Sequence, residues 1–284
     1  MGLSDPQHRD LLRVAKRVRR SILDIVFHAG SGHVGTALSQ ADILVALYHR
    51  CLRIDAGRPD WPERDRFVLS KGHGGLGLAA VLADLGFFPA EELARFGETG
   101  CRLGMHMDHT KVPGIEVSTG SLGHGLGVAV GLALGARVQA QSWRTVCLLS
   151  DGELYEGSIW EAALAGAGLG LHRLVAIVDR NRLTMDGFTE DELPLEPIEA
   201  KWQAFGWQTW SVDGHDLAAL CMALDEALDD SGERKPRMII ANTTKGRGVG
   251  FMENAAKWHF GALDSAMHQR ALASVSAMYA PYGV

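Results

Sequence analysis

The chain contains no run approaching about 20 uninterrupted apolar residues, the length a helix needs to cross a bilayer, so no membrane-spanning helix is expected. Its N-terminal stretch RDLLRVAKRVRRS is polar and basic and lacks the apolar centre of a signal peptide, which predicts a cytoplasmic protein. Cysteine is scarce. Cys51, Cys101, Cys147 and Cys221 lie far apart with no C-x-x-C spacing, which excludes a zinc ribbon or a disulfide scaffold and predicts reduced thiols. Positive charge is outnumbered, with 28 Lys and Arg against 34 Asp and Glu, and the net charge of −6 argues against a general nucleic-acid or anionic-membrane binder. A local basic pocket for a phosphorylated small molecule remains compatible with that balance. Internal repeats and low-complexity linkers are also missing, so neither a solenoid nor a string of tethered modules is expected.

What remains is an ordinary globular composition, 284 residues and 46% hydrophobic, ample for a closed α/β core. Ser4 or Asp5 caps a first helix with Pro6 in its first turn. Leu11, Leu12, Ala15, Val18, Ile22 and Ile25 then recur at helical spacing until Gly30. A second helix is expected from Ser39, where Ser39-x-x-Asp42 has the form of a capping box. Strand patterns near 66–70, 145–149, 174–179, 207–212 and 237–241 are separated by helical ones, including a Gly-rich helix near 74–86 and an acidic helix from Pro89. That alternation predicts an α/β fold with a parallel sheet covered by helices on both faces. One domain over 1–284 is expected, with an N-terminal helix over about 1–30 and an irregular C-terminal segment over about 243–284. Two stretches, 98–119 and 243–262, are too rich in His, Gly and charge to be idle spacers and read as functional loops.

The chemistry concentrates in 145–187. A strand opens onto Asp151-Gly152, a helix follows, and a second strand ends at Asp179, with Asn181 one crossover beyond Asp151. Parallel connection brings both side chains to one end of the sheet, where open α/β sheets bind ligands. Carboxylate and amide oxygens suit Mg²⁺ holding a diphosphate. Glycine clusters, many carrying histidine, surround this unit: Ser31-Gly32-His33, Lys71-Gly72-His73, and Thr119-Gly120-Ser121-Leu122-Gly123-His124. Each alone reads equally well as an ordinary turn, but together they point to a site. Gly72 to Gly77 also fits G-x-G-x-x-G, yet the acidic residue such a dinucleotide site needs at the next strand end is missing, since Glu91 and Glu92 open a helix. His33, His73 and His106 lie in loops or at element ends, where a neutral imidazole can bond a sugar hydroxyl or pass protons. His106-x-x-His109 lacks a third metal ligand at suitable spacing. Thr243-Thr244-Lys245-Gly246-Arg247-Gly248 is either an anion-binding turn or a solvated charged loop.

With these motifs in order, the chain resembles the N-terminal, diphosphate-binding half of transketolases, thiamine-diphosphate enzymes, over nearly its full length up to Trp258-His259. The resemblance implies the diphosphate-binding (PP) fold of thiamine enzymes and transfer of a two-carbon ketol unit from a ketose to an aldose. It implies Asp151 and Asn181 as side-chain ligands of Mg²⁺ or Ca²⁺, with Leu183 binding through its carbonyl. Gly152 would meet the diphosphate, and His73, Gly120 and Leu122 would line thiamine diphosphate. Glu156 matches a glutamate that in the family lies at the subunit interface and links to the partner's cofactor-activating glutamate. His33, His106 and His259 match the substrate-channel histidines that orient the sugar and shuttle protons.

The family also needs a pyrimidine-binding domain, and the sequence stops at Val284 without one. The expectation is therefore a split transketolase, completed by a second polypeptide carrying the pyrimidine and C-terminal domains, as an α2β2 assembly acting on a sugar phosphate or related acidic sugar. Several positions depart from the family pattern: Ser150 for the first Gly of Gly-Asp-Gly, Arg180 beside Asn181, Met105 and Met107 around His106, and Phe260 after the Trp-His pair. The metal core is expected to be little affected by them, while Met105, Met107 and Phe260 are expected around the substrate channel. Two other readings stay open: the α chain of a 2-oxoacid dehydrogenase, and a non-catalytic component of a larger complex.

Overall fold

In a computed structural model that describes residues 3–230 and 233–284, the first amphipathic pattern forms α1, Asp5–Ala29. Ser4 stands at its N-cap, Pro6 lies in its first turn, and Gly30, at φ 71°, ends it in the left-handed conformation. Two short helices follow, α2 (Val34–Ser39) and α3 (Ala41–Ala46), and α3 runs into a π-helical turn, Leu47–Cys51. The helix expected to start at Ser39 is thus built differently. Ser39 closes α2, and its hydroxyl donates to the Thr36 carbonyl and the Asp179 carboxylate, while Asp42 pairs with the buried Arg19. Buried charges need partners more than a helix start needs a local cap, so tertiary demand overrides the box.

The chain continues through β1 (Arg66–Leu69), α4 (Gly75–Asp84), α5 (Gly125–Val138), β2 (Thr145–Ser150), α6 (Gly157–Gly168) and β3 (Leu174–Arg180). Then come α7 (Thr189–Glu192), α8 (Ile198–Ala204), β4 (Gln208–Asp213), α9 (Leu217–Ala227), β5 (Arg237–Asn242) and α10 (Ser265–Tyr279). The acidic segment after Pro89 forms only 3₁₀ turns, Ala90–Arg95. The segment expected to be irregular over 243–284 holds α10, which packs on α1. Asp264 caps it by accepting from the Met267 N–H at 2.7 Å, and Ala271, Val275 and Tyr279 bury one stripe.

All five strands run parallel in the order β1-β2-β3-β5-β4. Residues alternate cleanly between two apolar clusters. Phe67, Leu69, Val146, Leu148, Val175, Ile177 and Ile239 meet α1 to α4, α9 and α10 on one face. Val68, Cys147, Leu149, Ala176, Val178 and Ile240 meet α5, α6 and α8 on the other. Coverage on both faces explains why β2, β3 and β5 read as nearly continuous apolar runs, whereas β4 at the edge, QTWSVD, is half-buried or exposed. Register pairs Ser150 with Asp179 and Arg180 with Asn242, so the turns after β2, β3 and β5 open at one carboxyl edge.

Candidate active site

At that edge a cavity of about 330 Å³ is lined by Asp151, Gly152, Asn181, Leu183, His73, Leu122 and His259, together with Thr36, Tyr155 and Lys245 among others. Seven residues picked out in the sequence therefore share one cavity. Asp151, almost fully buried, accepts from the Gly152 N–H at 2.8 Å and from the Arg182 N–H, which fixes its carboxylate at the mouth of β2. Burial and the nearby Asp179 carboxylate push Asp151 upward from the ordinary carboxylate range. Asn181 Oδ1 accepts from the Leu183 N–H at 3.1 Å, and the Leu183 carbonyl accepts from the Lys245 ammonium. Asp151, Asn181 and Leu183 thus bring carboxylate, amide and main-chain oxygens to one cavity, the hard donors that Mg²⁺ or Ca²⁺ takes. A cation, the Lys245 ammonium, already rests on one of these oxygens, so the residues present fit a bound metal.

Three imidazoles cluster here, His73 and His259 in the cavity lining and His33 packed beside them. Ring centroids of His33 and His73 lie 5.2 Å apart, those of His33 and His259 5.4 Å, and those of His73 and His259 5.7 Å. The Lys245 ammonium also donates to His259 Nδ1 at 2.9 Å. Burial, with His106 and Lys245 nearby, lowers His33 to about 4, and burial with Lys245 and His33 lowers His259 to about 4. Burial and the Lys71 ammonium push His73 further down. These rings are neutral near neutral pH, able both to donate and to accept. His33 Nδ1 is buried and has no hydrogen-bond partner among the described residues, a position that a ligand hydroxyl would satisfy. The exposed His106 stands against Gly120, where a side-chain Cβ would come within 3.1 Å of its ring. Glu156 does not line the cavity. It lies exposed at the N-cap of α6, beside Gly123.

A profile of the transketolase thiamine diphosphate binding domain matches residues 12–275. The chain belongs to the transketolase family. It is 42% identical over 269 residues to the 6-deoxy-6-sulfo-D-fructose transketolase subunit SqwG of Clostridium sp. strain MSTE9, covering 95% of this chain and 97% of that protein. It is 41% identical to an apulose-4-phosphate transketolase subunit from Phocaeicola vulgatus, over 92% of each. Among solved structures, transketolase from Leishmania mexicana superposes with a TM-score of 0.88 at 31% identity, covering 94% of this chain and 41% of that one. The chain spans less than half the length of the solved transketolase chains it matches.

Beneath the cavity, this transketolase-family chain carries a support that the sequence did not announce. Lys71 and Asp179 form an ion pair with both side chains fully buried. The Lys71 ammonium also donates to Thr36 Oγ1 at 3.0 Å, and Asp179 further accepts from the Ser39 and Thr243 hydroxyls. Five residues from four segments, with Thr36 and Ser39 both on α2, are thereby joined under the site. The signal was the lysine of Lys71-Gly72-His73, overshadowed by its glycines and histidine. Glu153, also buried, accepts from Ser70 Oγ, from the Gly123 N–H at 2.9 Å and from the Ser150 N–H at 3.2 Å, pinning the Leu122 loop beside the Asp151 turn.

The Gly72 to Gly77 pattern, already set aside as a dinucleotide loop, finds its reason here, and two expectations change. The Gly72 to Gly77 pattern serves packing: a Cβ at Gly72 would strike the Thr119–Gly120 backbone, at Gly75 the Met105 carbonyl, and at Gly74 or Gly77 the Gln40 side chain. Arg180, expected to leave the Asp151 region little affected, in fact reaches it, because its buried guanidinium lies 3.2 Å from Asp151 Oδ2 and binds Thr189, Glu190 and Glu196 as well. Met107 is a core residue, 5% exposed and packed in the α1-side cluster, whereas Phe260 stands at the site with its ring 4.9 Å from that of His33. His109 bonds Ser118 at 2.9 Å, and the described residues hold no cluster of three or more His, Cys, Asp or Glu suited to a metal.

Proposed function

We propose that this chain is the diphosphate-binding subunit of a split, thiamine-diphosphate-dependent transketolase, moving a two-carbon ketol unit from an acidic ketose to an aldose. The observation that carries the reading is the single cavity in which the Asp151, Asn181 and Leu183 oxygens face the His73 and His259 imidazoles across Lys245. When bound, thiamine diphosphate supplies a nucleophilic carbon and an electron sink for carbon–carbon cleavage. Asp151, Asn181 and the Leu183 carbonyl would hold Mg²⁺ or Ca²⁺. Gly152 and Lys245 would meet the diphosphate, and His73, Gly120 and Leu122 would flank the cofactor. His33, His106 and His259 orient sugar hydroxyls and carry protons, which the neutral state of His33 and His259 allows.

The partner in this reading is a second polypeptide with the pyrimidine-binding and C-terminal domains, in an α2β2 assembly, with the exposed Glu156 facing it. Relatives named as transketolase subunits that match over nearly their whole length support the split. Their names include a sulfo-sugar and a sugar phosphate, which fits an acidic substrate here. The four cysteines are free, and no helix among the described residues is long and apolar enough to cross a membrane, consistent with a cytoplasmic enzyme.

The test is to co-purify the chain with its complementing polypeptide and measure ketol transfer, alongside calorimetric binding of thiamine diphosphate with and without Mg²⁺. Asp151→Ala is expected to abolish metal-dependent cofactor binding while leaving the circular dichroism spectrum intact. Full ketol transfer by the purified chain alone would sink the split reading, and metal-independent cofactor binding would sink the ligand assignment.

A further inference from the structure

We propose that the cleft outside the carboxyl ends of β3, β5 and β4 is a second small-molecule site, separate from the diphosphate cavity, which takes an anionic, hydroxylated ligand of sugar-phosphate size. Topology places it there. Neighbouring strands β3 and β5 send the chain to opposite faces of the sheet: β3 leads to α8 in one apolar cluster, β5 to α10 in the other. Where adjacent connections part in this way, an open α/β sheet leaves a crevice at its carboxyl edge, and such crevices bind ligands. The diphosphate cavity is lined by the turns after β2 and β3 together with Lys245 and His259, and it shares only Asn181 with this crevice, so the two are different sites. Its volume, about 670 Å³, is within the range of small-molecule pockets and about twice that of its neighbour.

The lining chemistry selects the ligand class. Two guanidinium groups, of Arg182 and Arg247, border the cleft, against one carboxylate, Asp213. Among the described residues the Arg182 guanidinium makes no ion pair or hydrogen bond. Arg247 has a buried Nε without a partner among the described residues, and its ion pair with Glu253 is long, at 3.7 Å. An exposed Arg182 that has no protein partner among the described residues, and an Arg247 held by only a long ion pair to Glu253, are open to a phosphate, sulfonate or carboxylate, which arginine binds bidentately. Hydroxyl recognition is at hand too. Asn242 spends its Nδ2 on Ser211 and Val212, while its Oδ1 and the Thr244 hydroxyl make no hydrogen bond among the described residues.

The rim is also held in an uncommon conformation. Of the three described non-glycine residues with positive φ, Arg182 at 64° and Asn254 at 54° both border this cleft. Such conformations persist where the surroundings over-determine them. Here the Arg182 N–H is fixed by Asp151, and the Asn254 N–H by the Lys245 carbonyl. The back wall is rigid as well, since His215 joins Asp42 at 2.8 Å and accepts from the Thr244 N–H at 2.8 Å. None of this depends on the ketol-transfer reading.

Inorganic phosphate and glucose 6-phosphate, titrated calorimetrically into the full chain without cofactor, test the site. Saturable binding is expected, tighter for the sugar phosphate. It should be unchanged by Lys245→Met, which removes the cation of the neighbouring cavity, and weakened about tenfold or more by the Arg182→Gln/Arg247→Gln pair. In the unaltered chain, ligand should slow amide exchange at 213–215 and 242–247, a readout that stands even if the double variant fails to fold. Absence of saturable binding, loss of binding in Lys245→Met but not in the arginine pair, or no exchange protection at those segments would each overturn the proposal.

Discussion

Replacing Lys71 by Met tests the buried support beneath the site. In the native chain Lys71 and Asp179 are both 0% exposed, and each is the other's charged partner. Breaking a buried pair by removing one member costs about 3–5 kcal/mol, because the remaining charge stays buried without compensation. Asp179 would keep the Ser39 and Thr243 hydroxyls, which places the expected loss at the lower end, about 3 kcal/mol. The sign of the pH dependence follows from the same groups. Burial pushes Asp179 upward, but Lys71 and the two hydroxyls outweigh it and hold the carboxyl below its ordinary value. In the native chain this group therefore adds stability above the unfolded value of about 4 and loses it as pH falls through the lower folded value. In the variant, burial remains while the ammonium is gone, so the folded value moves above the unfolded one. That contribution is present at acid pH and lost as pH rises through the raised folded value. The gap between the two proteins must then widen from acid to neutral pH. Urea denaturation at several pH values, with equal slopes required for both proteins, measures it. A loss below about 1 kcal/mol, the scale of an exposed pair, or a loss that does not change with pH, would refute the reasoning.

Asp42→Ala should cost about 3–5 kcal/mol by the same measurement, since it strands the fully buried Arg19 guanidinium, which otherwise holds Asp42 at 2.6 and 2.8 Å. Asp42 is held far below the ordinary carboxylate range by Arg19 and His215 against its burial, so its contribution should survive until strongly acidic pH. In proton NMR titrations the His33 and His259 rings should show no protonation until pH falls toward about 4; midpoints near 6.5 would contradict their buried placement. Glu156→Ala should leave the stability of the isolated chain within about 0.5 kcal/mol, because Glu156 is exposed, while ketol transfer by the complemented enzyme falls. An unchanged rate would remove Glu156 from the interface role.

Much of the fold was legible because apolar side chains were placed with the right period. Apolar runs marked β2, β3 and β5 most clearly, while the edge strand β4, QTWSVD, showed only a weaker pattern, and the crossover arithmetic between Asp151 and Asn181 put both at one sheet edge. Local rules failed where a distant partner outcompeted a near one. Ser39 has the form of a cap, yet its hydroxyl is drawn to Asp179, 140 residues away in sequence. The glycines of 72–77 have the form of a nucleotide loop, yet each is needed for close approach to a backbone or to Gln40. The C-terminal stretch has weak amphipathicity of its own and becomes helical against α1.

The residue types and their order along the chain determined the α/β class, the placement of Asp151 and Asn181 at one sheet edge, the histidine loops and the resemblance to transketolases, since these depend on spacing and chemistry that a linear string carries. Only the tertiary structure decided that Lys71, Ser39, Thr36 and Thr243 converge on Asp179, that Arg180 reaches Asp151, and that Met107 is core while Phe260 stands at the histidines. Those facts turn on which long side chains meet across the sheet edge. Contacts between residues tens to hundreds of positions apart leave no periodic trace in the sequence.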